Sequence, residues 1–95
     1  ILKKNITLGN DINIGHNAII DKNTTISSGV KIGGGVEIGK NCELSVGCKF
    51  KPNVKITNSV FVGVGSIVTK DFGKSSRIFG VPAKIIRNIK LWVCP

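Results

Sequence analysis

A hydrophobic residue recurs at every sixth position over most of this chain. The period runs from Leu2 to Val68 without insertion or deletion. Its positions are Leu2, Leu8, Ile14, Ile20, Ile26, Ile32, Ile38, Leu44, Phe50, Ile56, Val62 and Val68. Only 41% of the residues are hydrophobic, so an unbroken series of this length does not arise by chance. A helix repeats every 3.6 residues and a strand every 2, so neither explains a period of six.

A parallel β-helix, with one short strand and one turn per hexad, does explain it. The third residue after each hydrophobic position is nearly always Asn, Asp or Gly, which tolerate positive φ or hydrogen-bond their own backbone. These predicted corners are Asn5, Asp11, Asn17, Asn23, Gly29, Gly35, Asn41, Gly47, Asn53, Ser59, Gly65 and Asp71. The residue after each corner is mostly small or β-branched, which suits a narrow interior. Three hexads make one coil of 18 residues, and the series predicts four coils stacked roughly 4.7–4.9 Å apart.

Stacked coils place residues 18 positions apart above one another. His16 should therefore lie above Gly34, with Pro52 and Lys70 below them on the same edge. Because His16 immediately precedes a corner, we expect its side chain to be exposed. The run Gly33–Gly35 beneath it would leave backbone open to the close approach of a ligand. Turn chemistry alone is a simpler explanation of these glycines.

Composition excludes several classes of function. Three cysteines, an odd number, argue against a disulfide framework and for a reducing compartment, so we expect a cytoplasmic protein. Cys42 and Cys48 fall in the inward column and should be buried thiols. One histidine and scattered cysteines do not provide a zinc site, and no hydrophobic run reaches the roughly 20 residues of a membrane span. We therefore predict no metal and no membrane partner.

The net charge of +9 favours an anionic ligand. Basic residues concentrate in the last quarter of the chain, where Lys70 and Lys84 are candidates for binding phosphate. The basic cluster around Lys49 is more simply a solvated surface. Few aromatic residues are available to stack on bases, so we do not expect nucleic acid as a partner.

The hexad pattern stops after Asp71. Residues 72–76 have the composition of a loop, Arg77 to Val81 should be extended, and the spacing of hydrophobic residues predicts a short amphipathic helix from Pro82 to Leu91. We therefore divide the chain into a β-helix over 1–72 and a C-terminal loop, strand and short helix over 73–95. This second segment would cap the lower end of the solenoid, which otherwise presents an open sheet edge.

Two motifs resemble the hexapeptide-repeat acyltransferases. One is the hexad that begins with Ile-Gly, as at Ile14, Ile32 and Ile38. The other is the ending Gly63-Val64-Gly65-Ser66-Ile67-Val68-Thr69-Lys70-Asp71 followed by Gly80-Val81-Pro82-Ala83-Lys84-Ile85-Ile86-Arg87. This ending resembles the branch that uses acetyl-coenzyme A. The stretch from Gly15 to Cys42 is most similar to sugar acetyltransferases of the sialic-acid and bacillosamine type.

The resemblance implies a left-handed β-helix, a homotrimer with active sites between subunits, and acetyl transfer from acetyl-CoA to the amine or hydroxyl of a sugar, with a nucleotide-linked sugar as substrate. It implies that His16 is the catalytic general base. It also implies that coenzyme A contacts backbone and side chains near Gly34, Gly35, Gly63, Gly65, Ser66 and Lys84. The concentration of basic residues late in the chain adds Lys70 as a candidate ligand of the coenzyme phosphates. Acyl transfer from a thioester requires the nucleophile to lose a proton, and an imidazole can accept it near neutral pH.

The chain departs from this family at three points. Asn17 follows the histidine where bacillosamine-type enzymes have a carboxylate, and Thr25 stands where many have a second histidine. These differences leave His16 without an evident local partner to orient it. The N-terminal subdomain that holds the nucleotide sugar in such enzymes is also absent from this sequence, and we expect that an upstream segment precedes Ile1.

Two alternatives remain open. An N-acyltransferase that depends on acyl carrier protein also has a His-Asn pair in such a solenoid, although the ending described above disfavours it. A trimeric scaffold without catalysis would explain the same repeat. A γ-class carbonic anhydrase needs three metal-binding histidines and is excluded by the single histidine of this chain.

Overall fold

Thirteen short β-strands follow one another in the computed structural model, which describes residues 2–86. Their bounds are β1 (Thr7–Leu8), β2 (Asn13–Ile14), β3 (Ile19–Ile20), β4 (Thr25–Ile26), β5 (Lys31–Ile32), β6 (Glu37–Ile38), β7 (Glu43–Leu44), β8 (Lys49–Phe50), β9 (Lys55–Ile56), β10 (Phe61–Val62), β11 (Ile67–Val68), β12 (Arg77–Phe79) and β13 (Lys84–Ile85). Within these residues no helix has the length and apolar character needed to cross a membrane.

The strands form three parallel sheets that make the sides of a prism. Sheet 1 has the order β1-β4-β7-β10-β12-β13, sheet 2 contains β2, β5, β8 and β11, and sheet 3 contains β3, β6 and β9. Neighbouring strands are one coil apart in sequence, so that Thr25 pairs with Glu43 and Ile38 with Ile56. Only β13 runs antiparallel to its neighbour. The predicted all-β parallel β-helix of about four coils is confirmed.

The corners of the prism have the left-handed backbone conformation that their residue types predict. Eleven of the twelve predicted corners have positive φ, with values between 56° at Asp11 and 75° at Gly29. Asp71 is the exception, and its carboxylate instead accepts a hydrogen bond from the Lys55 N–H at 2.8 Å.

The two inward columns form the core. They are buried from Ala18 to Val68, and Cys42 and Cys48 lie among them as predicted. Burial raises the pKa of both thiols, to about 12 for Cys48. At the upper end Leu2, Leu8 and Ile14 are 37–49% exposed, because no described residue stacks above them.

The repeat continues beyond Asp71 in a changed register. Phe72 pairs with Ile56 and Ile78 with Val62, a separation of 16 residues in place of 18. Both side chains are buried and extend the inward column. The six-residue pattern stops because only three residues separate Val68 from Phe72, whereas five separate the other inward positions of the repeat.

The predicted helix from Pro82 is wrong in the part that the structure describes. Lys84 and Ile85 form β13, which pairs antiparallel with Phe79 and Ile78, and the Ile86 N–H donates to the Arg77 carbonyl oxygen at 2.8 Å. The exposed edge of β12 offers hydrogen bonds that a helix would not satisfy, and this pairing outweighs the local hydrophobic periodicity. The remainder of that prediction, residues 87–91, lies outside the described residues.

The corners of successive coils stack into the three edges of the prism. The histidine edge comprises residues 15–17, 33–35, 51–53 and 69–71. The valine edge comprises residues 9–11, 27–29, 45–47 and 63–65. The lysine edge comprises residues 3–5, 21–23, 39–41, 57–59 and 73–75. Hydrogen bonds between successive coils connect each edge, for example from the Asn53 N–H to the Gly34 carbonyl oxygen at 2.9 Å.

Candidate active site

His16 lies at the middle of the uppermost corner on the histidine edge, and its side chain is exposed as predicted. The chain turns here because Asn17, the residue after His16, adopts a φ of 63°. The Gly35 N–H donates to the His16 carbonyl oxygen at 2.8 Å, which fixes the backbone of the histidine on the coil below. No side-chain hydrogen bond between His16 and another residue of the described range fixes the imidazole ring.

The glycine run beneath His16 is required by the stacking of the coils. A β-carbon on Gly15 would lie 2.5 Å from the Gly34 amide nitrogen, and one on Gly33 would lie 2.8 Å from the Pro52 amide nitrogen. Gly35 adopts a φ of 72°, which favours glycine. Gly34 is less crowded, since the nearest atom to an added β-carbon is the His16 carbonyl oxygen at 3.3 Å. Packing therefore accounts for most of the run, and Gly34 is its least crowded member.

Gly63 and Gly65 lie on the valine edge and Ser66 directly follows it, so none of the three is beside His16. Gly63 is buried, and the Phe79 ring occupies the space where its β-carbon would be. Ser66 is fully buried, and its hydroxyl accepts a hydrogen bond from the Gly80 N–H at 3.1 Å. Gly65 is exposed, and no atom lies within 4 Å of the position of an added β-carbon. Of these three residues, Gly65 is the one whose surface a ligand could reach.

Lys70 and Lys84 are both exposed near the lower end of the prism. The Lys70 Nζ lies 5.8 Å from the centroid of the Phe72 ring, so this ammonium rests over an aromatic face at the foot of the histidine edge. Lys84 lies on β13 in register with Phe79. Both can present an ammonium group to a phosphate.

The structure therefore divides the predicted residues between two edges. His16, Gly34, Gly35 and Lys70 belong to the histidine edge, whereas Gly63 and Gly65 belong to the valine edge three coils below His16, a distance along the axis of about 14 Å. Within one chain these groups do not converge on a common cavity.

Sequence reasoning missed a polar groove beside the lysine edge. Its volume is about 290 Å³, and it is lined by Asn41, Glu43, Ser59, Val60, Phe61, Ser75 and Arg77. The repeat could have predicted this groove, because most of its lining residues are corner residues or outward-facing residues of sheet 1 on consecutive coils. Recognising the groove from sequence would have required the shifted register that places Ser75 and Arg77 below Ser59 and Phe61.

Within residues 2–86, no group of three or more His, Cys, Asp or Glu side chains is arranged to hold a metal ion. The ion pair of this region joins the Lys55 Nζ to the Glu37 carboxylate at 3.7 Å, on sheet 3. The remaining basic side chains thus dominate the surface charge.

No family model matches the chain. Among solved structures it is 25% identical to a histidine-to-asparagine mutant of perosamine N-acetyltransferase from Caulobacter crescentus in complex with CoA and GDP-perosamine, covering 92% of this chain and 54% of that one with a TM-score of 0.63. Serine acetyltransferase from Neisseria gonorrhoeae is 26% identical over 85% of this chain and 39% of its own, with a TM-score of 0.73.

Maltose O-acetyltransferase from Clostridium difficile 630 is 21% identical over 92% of this chain and 66% of its own, with a TM-score of 0.68. The chain spans about half the length of the perosamine N-acetyltransferase that it matches. These neighbours also support the left-handed sense of the β-helix that the resemblance implies. In fold, this chain is therefore similar to the hexapeptide-repeat acetyltransferases.

Proposed function

We propose that this chain is the β-helix of an acetyltransferase that transfers an acetyl group from acetyl-CoA to an amine or hydroxyl of a sugar, with a nucleotide-linked sugar as the substrate. The observation that carries the proposal is the exposed side chain of His16 one coil above Gly34, the least crowded residue of the glycine run. This arrangement occurs in a fold similar to that of an acetyltransferase solved with CoA and a nucleotide sugar.

In the proposed reaction His16 acts as the general base. As the acceptor nitrogen or oxygen attacks the thioester carbonyl carbon, its proton passes to the imidazole. The tetrahedral intermediate then expels the sulfur of coenzyme A, which takes up the proton, and the acetyl group remains on the sugar. The Gly34 N–H or a backbone N–H of a neighbouring subunit would stabilise the oxyanion, since the Gly33 and Gly35 N–H groups already bond to carbonyl oxygens of adjacent coils.

The separation of the predicted residues supports a site formed by two copies of the chain. In a homotrimer with parallel axes, the histidine edge of one copy can face the valine edge of the next. Coenzyme A between them would then contact Gly34 and Gly35 on one chain and Gly65 on the other. Val46 and Val64 are 53% and 71% exposed on the valine edge, and an apolar surface of this kind favours self-association.

The remaining predicted contacts take different roles in this proposal. Lys70 and Lys84 would bind the phosphates of the coenzyme, since ammonium groups form charge-assisted hydrogen bonds with phosphate oxygens. Ser66 and Gly63 would act indirectly, because the first holds the Gly80 turn and the second accommodates the Phe79 ring. The proposed location is the cytoplasm, where acetyl-CoA is available.

The test measures release of free thiol from acetyl-CoA with a panel of nucleotide-linked amino sugars. We expect His16→Ala to lower kcat by roughly 10²–10⁴-fold, the usual contribution of a general base. Lys22→Ala is a matched control, because Lys22 is an exposed residue at the equivalent corner position one hexad later, on the lysine edge, which is not part of the proposed site. It should retain activity within about twofold of the unsubstituted protein.

Parallel reactions with an acyl-carrier-protein thioester in place of acetyl-CoA show which of the two acyl donors the protein uses. Coenzyme binding is measured independently by calorimetry, so that loss of the acceptor site is distinguished from loss of the donor site. Full thiol release by His16→Ala would refute the role of His16. Absence of coenzyme binding by the unsubstituted protein would refute the proposed donor and favour a scaffold.

A further inference from the structure

Four exposed lysines follow one another along the lysine edge. They are Lys4, Lys22, Lys40 and Lys74, each at the middle of a corner. The Asn23 N–H donates to the Lys4 carbonyl oxygen at 3.0 Å, and the Asn41 N–H donates to the Lys22 carbonyl oxygen at 3.1 Å. These bonds hold the first three lysines on consecutive coils. At the spacing of parallel strands, the whole lysine row spans about 19 Å.

One coil in the row has Asn58 in place of lysine. Its Oδ1 accepts a hydrogen bond from the Lys40 N–H at 2.9 Å, so this side chain is bound to the coil above. The absence of a β-carbon at Gly39 makes this possible, because an added β-carbon would lie 2.6 Å from the Asn58 Oδ1. The row therefore consists of three adjacent charges, a neutral gap and a fourth charge.

The lysine row is only weakly compensated by acidic residues. Asp21 is beside it, and its Oδ1 accepts a hydrogen bond from the Lys22 N–H at 2.7 Å. In the part of the chain that the structure describes, none of the four lysines lies within ion-pair distance of a carboxylate. Like charges on neighbouring strands are destabilising. An anion with several charges along its length would remove that repulsion.

A second row, of amides and hydroxyls, runs beside the lysines. It consists of the exposed corner residues Asn5, Asn23, Asn41, Ser59 and Ser75. Three of these residues, Asn41, Ser59 and Ser75, line the groove of about 290 Å³ described above. The half-buried Phe61 forms part of its wall, and the Arg77 guanidinium carbon lies 5.8 Å from the centroid of that ring. Glu43 is the carboxylate of the groove.

We propose that the lysine edge binds a linear acidic oligosaccharide, whose carboxylates contact the lysine row and whose hydroxyls bond to the neighbouring amides and hydroxyls. A row of uncharged donors and acceptors beside a row of cations, three of them on consecutive coils, fits a sugar chain with one charge per unit. A single-stranded nucleic acid fits less well, because it requires aromatic side chains that stack successive bases. Phe61 is the aromatic residue of the groove. The proposal does not depend on acetyl transfer, since His16 lies on a different edge.

The experiment measures binding of a fluorescently labelled linear hexasaccharide of galacturonic acid by anisotropy at several salt concentrations. The test variant is the double substitution Lys22→Gln/Lys40→Gln. The control is Lys31→Gln/Lys49→Gln, which removes the same charge from two exposed lysines that pair directly on the outer face of sheet 2. Circular dichroism and thermal unfolding establish that both variants are folded.

We expect the test variant to bind about tenfold more weakly, given the usual strength of exposed charge contacts. The slope of log Kd against log salt should fall by about 1.4 for two lost contacts, if the hexasaccharide releases counterions as single-stranded polyanions do. The control should bind within about twofold of the unsubstituted protein. A salt slope that stays unchanged would assign the effect to structure and overturn the proposal.

Three other outcomes would overturn it. Equal weakening by the two double variants would show that net charge alone attracts the ligand. Equal binding of the neutral hexasaccharide of xylose would show that the lysines are not used. Tighter binding of an oligothymidylate of the same charge would assign the edge to nucleic acid.

Discussion

Replacing Gly33 by alanine tests whether the spacing of the coils dictates the residues of the histidine edge. A β-carbon at this position would lie 2.8 Å from the Pro52 amide nitrogen and 3.0 Å from the Phe50 carbonyl oxygen. The Gly33 N–H donates to that same oxygen at 3.1 Å, which holds the two coils together. Because the obstructing atoms belong to the backbone, rotation of a side chain cannot relieve the overlap.

The expected magnitude follows from this geometry. An ordinary β-carbon contact begins at 3.4 Å, so the coils must separate locally by roughly 0.6 Å. Overpacking of this kind costs about 1–3 kcal/mol, and a weakened hydrogen bond adds up to about 1 kcal/mol. Gly33 does not have a positive φ, so no backbone strain is added. We expect Gly33→Ala to lower the free energy of unfolding by about 2 kcal/mol.

The assay is urea unfolding followed by circular dichroism, with two further glycine variants. Gly73→Ala is the matched control, because no atom lies within 4 Å of its added β-carbon and its φ is not positive. Its stability should be unchanged or raised by up to about 1 kcal/mol. Gly47 also has open space but a φ of 72°, so Gly47→Ala should cost about 1–2 kcal/mol through backbone strain alone.

Equal stability of Gly33→Ala and Gly73→Ala would refute the reasoning. It would mean that the coils separate without cost, and that the glycines beneath His16 are not retained for packing. The bare backbone of the run would then need a functional explanation.

The same unfolding assay checks two further expectations. Leu44→Ala removes a fully buried side chain and should cost about 2–5 kcal/mol, whereas Leu8→Ala, at a position 49% exposed, should cost less than half as much; equal losses would contradict the assigned core. Burial raises the pKa of the Cys48 thiol from 9.0 to about 12. The protonated Cys48 thiol therefore contributes fully to the free energy of unfolding below pH 9. This contribution is lost as the pH rises toward 12, and the free energy of unfolding falls by up to about 1.4 kcal/mol per pH unit. A Cys48→Ala variant should lack that part of the decline, and identical slopes for the two proteins would count against the buried thiol.

Most of the fold could be predicted from the hexad pattern because each coil repeats the same local solution. The corner residues require positive φ, and the inward columns require hydrophobic or small side chains, so both are visible in the sequence. The exposure of His16 followed from its position before the Asn17 corner. Its position above Gly34 followed from the 18-residue coil, which residue counting alone reveals.

The prediction failed where contacts between distant residues override local pattern. Phe72 and Ile78 occupy core positions because the step from Val68 to Phe72 is four residues in place of six, which a fixed period cannot detect. Lys84 and Ile85 have the spacing of a helix but pair with the exposed edge of β12. The arrangement of Gly34 and Gly35 on one edge and Gly63 and Gly65 on another is also a feature of the structure that the family resemblance did not specify.

By itself the sequence determined the rise and the repeating shape of each coil, because a period of six places one corner and one buried side chain in every hexad. Tertiary structure alone decided which surfaces meet at the last coil, where the separation between paired residues changes from 18 to 16. Residues such as Asn41, Ser59 and Arg77 form one groove because their coils stack within hydrogen-bonding distance, and that proximity depends on the register at the irregular last coil. Site geometry is therefore a property of the stacking, whereas the fold is already present in the repeat.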